Sequence, residues 1–241
     1  MKNILDRIFA CLGLVISAPI IAPVILLVWL GDRKSPFYIA DRTGKGGTNF
    51  QMVKLRSMVQ GADLTGVDST SAEDRRITPV GHFIRRYKLD EITQLWNVLK
   101  GDMSLVGPRP NVPRETKLYT NQERRLLTVK PGITDFSSIV FSDEGEILKG
   151  SQNPDLAYNQ LIRPAKSKLG LLYVDKRSLF IDLQLILLTV LAVFSRETAL
   201  KHVARLLGNI GADEKLCKIA LRKEPLEPAP PPGAKEIVSQ R

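Results

Sequence analysis

Residues 87–110 read YKLDEITQLWNVLKGDMSLVGPRP, and the expected architecture is built around this stretch. Its apolar residues recur at helical spacing: Leu89, Ile92, Leu95, Trp96 and Leu99. Gly101 follows as a stop signal, so the pattern predicts an amphipathic helix over residues 90–100. Asp90 and Glu91 then lie in its first turn, where the aligned peptide dipoles favour negative charge. The stretch therefore predicts an ionised carboxylate pair at the start of a helix.

The end of the same stretch presents an arginine between two prolines, Pro108 and Pro110. Proline restricts its own backbone and that of the residue before it, so Arg109 is expected on a stiff loop. A guanidinium in a fixed position suits phosphate recognition, because arginine makes bidentate contacts with oxyanions. For a lone acidic pair in a first turn, capping of the helix is the commoner role. The pair and the arginine together favour a phosphate or metal site.

The charge balance points to an anionic partner. The 241 residues include 35 Lys and Arg against 25 Asp and Glu, a net charge of +10. Nucleic acid, phosphorylated substrates and a lipid surface all fit this balance. The two cysteines, Cys11 and Cys217, lie far apart, so neither a disulfide framework nor a cysteine-based metal site is expected. The two histidines, His82 and His202, are too few and too distant for a zinc site.

The N-terminal apolar block carries no charge over residues 8–31, which is long enough to span a bilayer. Pro19 and Pro23 interrupt it, and each removes a helical hydrogen bond. Cations flank both ends, so charge asymmetry gives no direction for a crossing. The residues alone leave two alternatives open, a kinked transmembrane helix and a re-entrant helix that bends back to the same face.

The remaining chain predicts a mixture of short elements. Residues 37–39 and 50–53 favour two strands joined by a glycine turn, with Lys54 and Arg56 directly after the second. Residues 59–73 favour a mobile loop. Residues 75–88 include five basic residues, Arg75, Arg76, Arg85, Arg86 and Lys88. A charged helix is predicted between Pro110 and Lys130. Further helices are predicted over residues 154–172, from Ser195 to about Leu207, and within residues 211–222. The uncharged run over residues 183–194 is too short to span a bilayer and predicts a core or interfacial helix.

The central stretch closely resembles the signature of the bacterial sugar transferases, the polyprenol-phosphate hexose-1-phosphate transferases or monotopic phosphoglycosyl transferases. The matching residues are Leu89 to Glu91 and Gln94 to Pro110. Further segments are similar to the family: residues 54–58 (KLRSM), 74–81 (DRRITPVG), 129–134 (VKPGIT) and 173–179 (YVDKRSL). The family usually continues Gly-Leu after the last Thr of VKPGIT, whereas this chain has Asp135-Phe136. We expect this difference to affect the acceptor or sugar pocket.

The resemblance implies an α+β, mainly helical fold with a short β element. Residues 1–33 would form a re-entrant membrane helix-break-helix, residues 34–194 the catalytic domain, and residues 195–222 a C-terminal helical extension. Residues 223–241 contain a proline-rich run and are expected to be a disordered or extended tail outside the fold. Interfacial amphipathic helices would seat the protein on the cytoplasmic face of the bacterial inner membrane, and a homo-oligomer is compatible with this arrangement.

The implied reaction moves a hexose 1-phosphate from a UDP-sugar to polyprenyl (undecaprenyl) phosphate, with release of UMP, and so begins glycan assembly. Asp90 would act as nucleophile, since it begins the predicted helix and a phosphate can approach the free N–H groups there. Asp90 and Glu91 would hold Mg²⁺, and Glu91 would bind the metal, orient Asp90 or act as a base. The substrate-binding cations would be Lys54, Arg56, Arg85, Arg86 and Arg109.

Two other classes of function fit parts of the sequence. A membrane-tethered nucleic-acid-binding protein would fit the positive charge, but aromatic residues make up only 6% and no aromatic-basic interleaving is present. A non-catalytic scaffold for glycan assembly would fit the membrane segment. The intact Asp90, Glu91 and Arg109 argue against the scaffold.

Overall fold

A computed structural model describes residues 2–62 and 73–240 of the chain. The α-helices are α1 (Lys2–Asp32), α2 (Pro79–Arg86), α3 (Leu89–Ile92), α4 (Leu95–Lys100), α5 (Pro113–Thr116), α6 (Phe136–Val140), α7 (Glu144–Ile147), α8 (Pro154–Ala157), α9 (Arg163–Lys176), α10 (Leu179–Phe194), α11 (Arg196–Asn209) and α12 (Glu214–Leu221). The strands are β1 (Phe37–Thr43), β2 (Asn49–Leu55), β3 (Ser104–Val106) and β4 (Gly132–Thr134). The predicted mainly helical fold with a short β element is confirmed. Most of the predicted loop over residues 59–73 lies outside the described residues.

The strands form two separate pairs. β1 and β2 make the predicted antiparallel hairpin, and a 3₁₀ turn over Lys45–Gly47 joins them. β3 pairs in parallel with β4, with Ser104 opposite Gly132 and Val106 opposite Thr134. The sequence pattern does not reveal this second pair, because strands of three residues are too short to show an alternation. It joins the end of the central stretch to the VKPGIT segment.

The helix predicted over residues 90–100 is divided into α3 and α4 at Thr93 and Gln94. The division has a tertiary cause. The buried Thr93 hydroxyl donates to the carbonyl of Val53 on β2 at 3.1 Å, and the Asn97 side chain bonds both Val53 N and Gln51 O. These side chains fasten the helical stretch to the hairpin. The predicted stop is confirmed, since Gly101 ends α4 with φ of 99°.

The charged helix predicted between residues 110 and 130 is wrong in its extent. Only α5 and a 3₁₀ helix over Glu123–Thr128 form there. The segment instead wraps around the fully buried carboxylate of Glu123, which accepts hydrogen bonds from Arg163 (2.6 and 3.0 Å), Ser167 (2.7 Å) and the backbone N–H of Thr120 (3.0 Å). Residues 154–176 are helical throughout, and a π-helical turn over Tyr158–Ile162 precedes Pro164.

Helix α1 lies along the rest of the domain and contacts it near both ends and through its middle. The backbone is helical through Pro19 and Pro23, so the predicted break does not interrupt the helix. Near its start, Lys2 pairs with Asp182 and Asp6 accepts from Ser104 at 2.7 Å. Its middle and second half pack through Ala10, Ile21, Val24 and Val28 onto the hairpin, α2, α3 and α4. By length and composition α1 is able to cross a membrane.

The main core lies at the other end of the domain. It joins α6, α9, α10, α11 and α12, with Phe136, Leu169, Leu185, Val203 and Ala220 among its fully buried members. The helices predicted after Ser195 and within residues 211–222 are therefore confirmed, and both contribute to this core.

The proline-rich tail packs on the domain, which corrects its exclusion from the fold. Residues 223–240 carry no helix or strand, but Ala229 N donates to Gln160 O at 3.0 Å and Gln160 Nε2 donates to Val238 O at 2.7 Å. Thr120 donates to the carbonyl of Pro232, and Pro231 and Pro232 are buried. The tail is irregular, with a turn at Pro232 and Gly233, and contacts the π-helical turn through Gln160.

Candidate active site

A cavity of about 780 Å³ opens where the hairpin, α2, α3, β4 and α10 meet. Its lining includes Lys54, Arg85, Arg86, Asp90, Glu91 and Arg109. These are the two predicted catalytic residues and four of the five predicted substrate-binding cations. Segments separated by up to 55 residues thus line one cavity.

Two ion pairs organise the acidic side of the cavity. Lys54 Nζ lies 3.5 Å from Asp90 Oδ2, and Arg109 Nη2 donates to Glu91 Oε1 at 2.6 Å. All four side chains are largely buried. β2 carries Lys54, α3 carries the carboxylates, and the loop after β3 carries Arg109. Each carboxylate therefore has its own cation, supplied by a different element.

Burial and charge act against each other at Glu91. Burial would raise the pKa of its carboxyl, but the charges of Arg109, Lys88 and Lys54 hold that pKa at about 2. At neutral pH Glu91 is consequently an anion and a weak base. Burial lowers the pKa of Lys54, and the neighbouring Asp90 opposes this shift only in part. The pKa of Arg109 is raised, chiefly by Glu91.

Arg85 and Arg86 reach the cavity from the end of α2. Arg85 Nε donates to Ser57 Oγ at 2.9 Å, and desolvation lowers the pKa of its guanidinium. The Arg86 guanidinium lies over the Tyr87 ring, with its carbon 5.7 Å from the ring centroid. Both cations add positive charge at the mouth of the site.

Arg56 does not line the cavity. The expectation that it contacts the diphosphate of the substrate is therefore wrong. Its guanidinium makes two hydrogen bonds of 2.6 Å to Asp32, at the end of α1. β2 ends at Leu55, so the alternation of side chains that would place Arg56 on the same face as Lys54 ends there. Arg56 therefore fastens α1 to the hairpin.

Several residues that line the cavity were not predicted from the sequence as site residues. Lys166 Nζ contacts Glu144 Oε2 at 3.1 Å and lies 5.0 Å from the centroid of the Tyr158 ring. Ser137 and Ser138 hydrogen-bond the buried Asp135, which caps α6, and Thr189 contacts Thr134 at 2.6 Å. The available signal was local: an acidic run over residues 143–146 follows closely on the departure from the family pattern.

The donor set fits magnesium only in part. No group of three or more His, Cys, Asp or Glu side chains that could hold a metal occurs in the described part of the chain. Asp90 and Glu91 are oxygen donors on one wall, and Mg²⁺ commonly takes one or two carboxylates together with substrate phosphates. The residues present thus fit a metal that binds together with a phosphorylated substrate.

The model of the family described as "Bacterial sugar transferase" matches residues 1–196. The chain belongs to this family. The resemblance read from the central stretch is therefore confirmed, and with it the expectation of a transferase. The family match ends at Arg196, so α11, α12 and the tail of this sugar transferase lie almost entirely beyond it.

Three relatives show the range within the family. A Bacillus subtilis (strain 168) protein provisionally named undecaprenyl-phosphate N-acetylgalactosaminyl 1-phosphate transferase is 43% identical over 51% of this chain and 68% of its own length. The uncharacterized sugar transferase EpsL of the same organism is 34% identical, over 82% of this chain and 89% of its own. The UDP-glucose:undecaprenyl-phosphate glucose-1-phosphate transferase of Xanthomonas campestris is 34% identical over 82% of this chain and 40% of its own. The sugar transferase thus spans less than half the length of its longer relatives.

Proposed function

We propose that this protein transfers a hexose 1-phosphate from a UDP-sugar to undecaprenyl phosphate or a similar polyprenyl phosphate, releasing UMP, through a phosphosugar bound covalently to Asp90. The observation that carries the proposal is the pairing of Asp90 with Lys54 and of Glu91 with Arg109 in one cavity. The names of the Xanthomonas and Bacillus relatives describe the same type of reaction, the transfer of a sugar 1-phosphate to undecaprenyl phosphate.

In the first step, an Asp90 carboxylate oxygen attacks the β-phosphorus of the donor. The bond from that phosphorus to the oxygen bridging the two phosphates breaks, and UMP leaves with the electron pair. Lys54 and Arg109 lie close enough to the carboxylates to contact the phosphate oxygens where charge develops. Arg109 is suited to this role, since its guanidinium is held on one side by Glu91.

In the second step, a phosphate oxygen of the lipid acceptor attacks the same phosphorus. The acyl phosphate bond to Asp90 breaks, the carboxylate is restored, and a polyprenyl diphosphosugar forms. The acceptor needs a route from an apolar surface to a polar cavity. α10 supplies both, because Thr189, Ala192 and Val193 line the cavity while Leu183, Leu187 and Val190 are exposed.

Asp90 and Glu91 would hold Mg²⁺ together with the donor phosphates, and the metal would neutralise phosphate charge when bound. Glu91 is unsuited to the role of base, since its pKa of about 2 leaves it ionised but weakly basic. We therefore assign Glu91 to holding Arg109 and the metal.

The contacts of α1 support a monotopic, re-entrant placement on the cytoplasmic face of the inner membrane. Lys2 pairs with Asp182 near one end of α1 and Asp32 pairs with Arg56 at the other. Both ends are thus held by the same catalytic domain. The apolar side chains Ile8, Leu12, Val15, Ile16, Ile20 and Leu27 of α1 are exposed and would face lipid.

The direct test is mass spectrometry of the protein incubated with UDP-sugars and magnesium, without acceptor, together with an assay of UMP release. We expect a phosphosugar adduct on Asp90 in the wild-type protein, and neither adduct nor UMP in Asp90→Asn. Asp102→Asn is the matched control, because Asp102 follows α4 and pairs with Lys100 away from the cavity. Full activity in Asp90→Asn, or an adduct on Glu91, would contradict the proposal. UMP release that strictly requires the acceptor would instead indicate direct transfer.

A further inference from the structure

A second charged pair lies in the cavity and has no part in the steps described above. Glu144 Oε2 and Lys166 Nζ are 3.1 Å apart, and the lysine lies over the Tyr158 ring. All three residues line the same cavity as Asp90 and Arg109. The pair joins α7 to α9, across 22 residues of sequence.

The pair differs from a structural ion pair in how much of its bonding capacity is used. The Glu123 carboxylate, fully buried beside Arg163, accepts four hydrogen bonds. By contrast, within residues 2–62 and 73–240 the Glu144 carboxylate accepts one, from Lys166, and its side chain is 34% exposed. Glu144 therefore has lone pairs directed at the cavity that a ligand can use.

The backbone beside Glu144 is held in place from outside the cavity. The preceding residue, Asp143, pairs with Arg196 at 2.8 Å and with Arg222 at 3.3 Å. Arg222 lies beyond the family match and also stacks on Phe141. The start of α7 is thus anchored by the C-terminal extension, so Glu144 is a preorganised acceptor.

Charge decides which part of the donor can contact this pair. Burial would raise the pKa of the Glu144 carboxyl, but Lys166 and then Arg109 lower it, so Glu144 is an anion. The proposed attack by Asp90 places the diphosphate beside Lys54 and Arg109, which leaves the Glu144–Lys166 pair to another part of the donor. A carboxylate beside an ammonium suits neutral hydroxyl groups, which donate to the one and accept from the other.

Position favours the sugar over the uracil. Glu144 and Lys166 line the same cavity as Asp90 and Arg109, so the pair faces the space that holds the phosphoryl group. The sugar is attached to the phosphorus that Asp90 attacks, whereas uracil is separated from it by the ribose and a second phosphate. The Tyr158 ring lies beneath the Lys166 ammonium and lines the same cavity.

We propose that Glu144 and Lys166 form the sugar subsite of the donor and set which hexose hydroxyls are accepted. This inference rests on the proposed function and gives the same cavity its specificity. The named relatives use different sugars, glucose and N-acetylgalactosamine, so membership of the family leaves the choice of sugar to residues of this kind.

The test compares wild-type protein, Glu144→Gln and Lys166→Met. We would measure kcat/KM for UDP-glucose, UDP-galactose and their two N-acetyl forms, and inhibition by UMP, which has no sugar. We expect about a 10- to 100-fold loss with the preferred donor and an altered ranking of donors, because a hydrogen bond to a charged group is lost. UMP has no sugar and so makes no contact with this pair. Its inhibition constant should therefore change by less than about twofold, because a tenfold change in affinity corresponds to the loss of a contact.

Glu214→Gln is the matched control, because Glu214 also begins a helix and pairs with a lysine, Lys218 at 2.7 Å, outside the cavity. Equal losses for every donor, or a parallel loss of UMP inhibition, would overturn the sugar assignment. If Glu144→Gln fails to fold, Glu144→Asp retains the charge but shortens its reach, and an unchanged donor ranking there would overturn it too. Absence of UMP release from every donor by the wild-type protein would instead refute the proposed function.

Discussion

Gly107 and Gly132 pass so close to each other that neither position has room for a side chain. A Cβ on Gly132 would lie 2.0 Å from the backbone nitrogen of Gly107, and a Cβ on Gly107 would lie 2.5 Å from the carbonyl oxygen of Lys130. This contact continues the parallel β3–β4 pair. Arg109 follows two residues later and donates to Ile133 O at 3.4 Å, so the close approach places its guanidinium beside Glu91.

We expect Gly132→Ala to lower stability by about 2–3 kcal/mol or more, because backbone atoms must move to admit the methyl group. For a chain of this size that corresponds to a fall in Tm of about 5–10 °C, measurable by thermal unfolding in detergent. Gly208→Ala is the control, since Gly208 lies in α11 with no atom near the added Cβ. A Tm for Gly132→Ala equal to that of the control would contradict this reading.

The Glu91 pair makes a pH-dependent contribution to stability. The pKa of the Glu91 carboxyl is about 2 in the folded protein, below the ordinary value of 4.5. The depressed pKa means that this stabilisation is complete above pH 4.5 and is lost as the pH falls toward 2. We expect the Tm difference between wild type and Glu91→Gln to be constant above about pH 5 and to shrink below it. A difference that does not change between these limits would refute the prediction.

The topology of α1 can be read from single cysteines at Asn3 and Ser35, both exposed, in a Cys11→Ser, Cys217→Ser background. Because the domain holds both ends of α1, we expect an impermeant thiol reagent to label both positions from the same side of sealed vesicles. Replacing Pro19 and Pro23 with leucine should shift the segment toward a spanning state. Labelling from opposite sides in the parent protein would exclude the re-entrant placement.

The acceptor route predicts a separation of the two half-reactions. Ala192→Phe would fill the passage between α10 and the cavity while remaining apolar. We expect transfer to polyprenyl phosphate to slow by about 10-fold or more, because a displaced acceptor loses its alignment with the phosphorus. Formation of the Asp90 adduct should stay unchanged. Val190→Phe, on the exposed part of α10 and outside the cavity lining, is the control. Equal slowing of both half-reactions would count against this route.

The tail should stabilise the domain without taking part in catalysis. Removing residues 224–241 deletes its bonds to Thr120 and Gln160 and exposes the surface under Pro231 and Pro232. We expect Tm to fall by about 2–5 °C, the effect of about 1–2 kcal/mol in a chain of this size. UMP release should persist, since none of the described tail residues, 224–240, lines the cavity. Removing only residues 239–241 leaves these bonds in place and should change neither quantity.

Local sequence was sufficient to predict the acidic pair, the stiff loop that carries Arg109, and the hairpin. Asp90 and Glu91 are adjacent, Arg109 lies on a loop restricted by the prolines on either side, and the turn of the hairpin is visible as glycines. Each of these features depends on residues close together in the chain. The family followed from the same residues, because the matching segments are long and varied.

Tertiary packing decided the rest. The division of α3 from α4 depends on Thr93 reaching β2, and the removal of Arg56 from the site depends on Asp32 at the end of α1. The pairing of Glu144 with Lys166 depends on helices that approach only when the main core forms. The periodicity of a segment shows which face it buries but not what it is buried against. Local sequence therefore determined the chemistry available at Asp90, and long-range contacts determined the shape of the cavity around it.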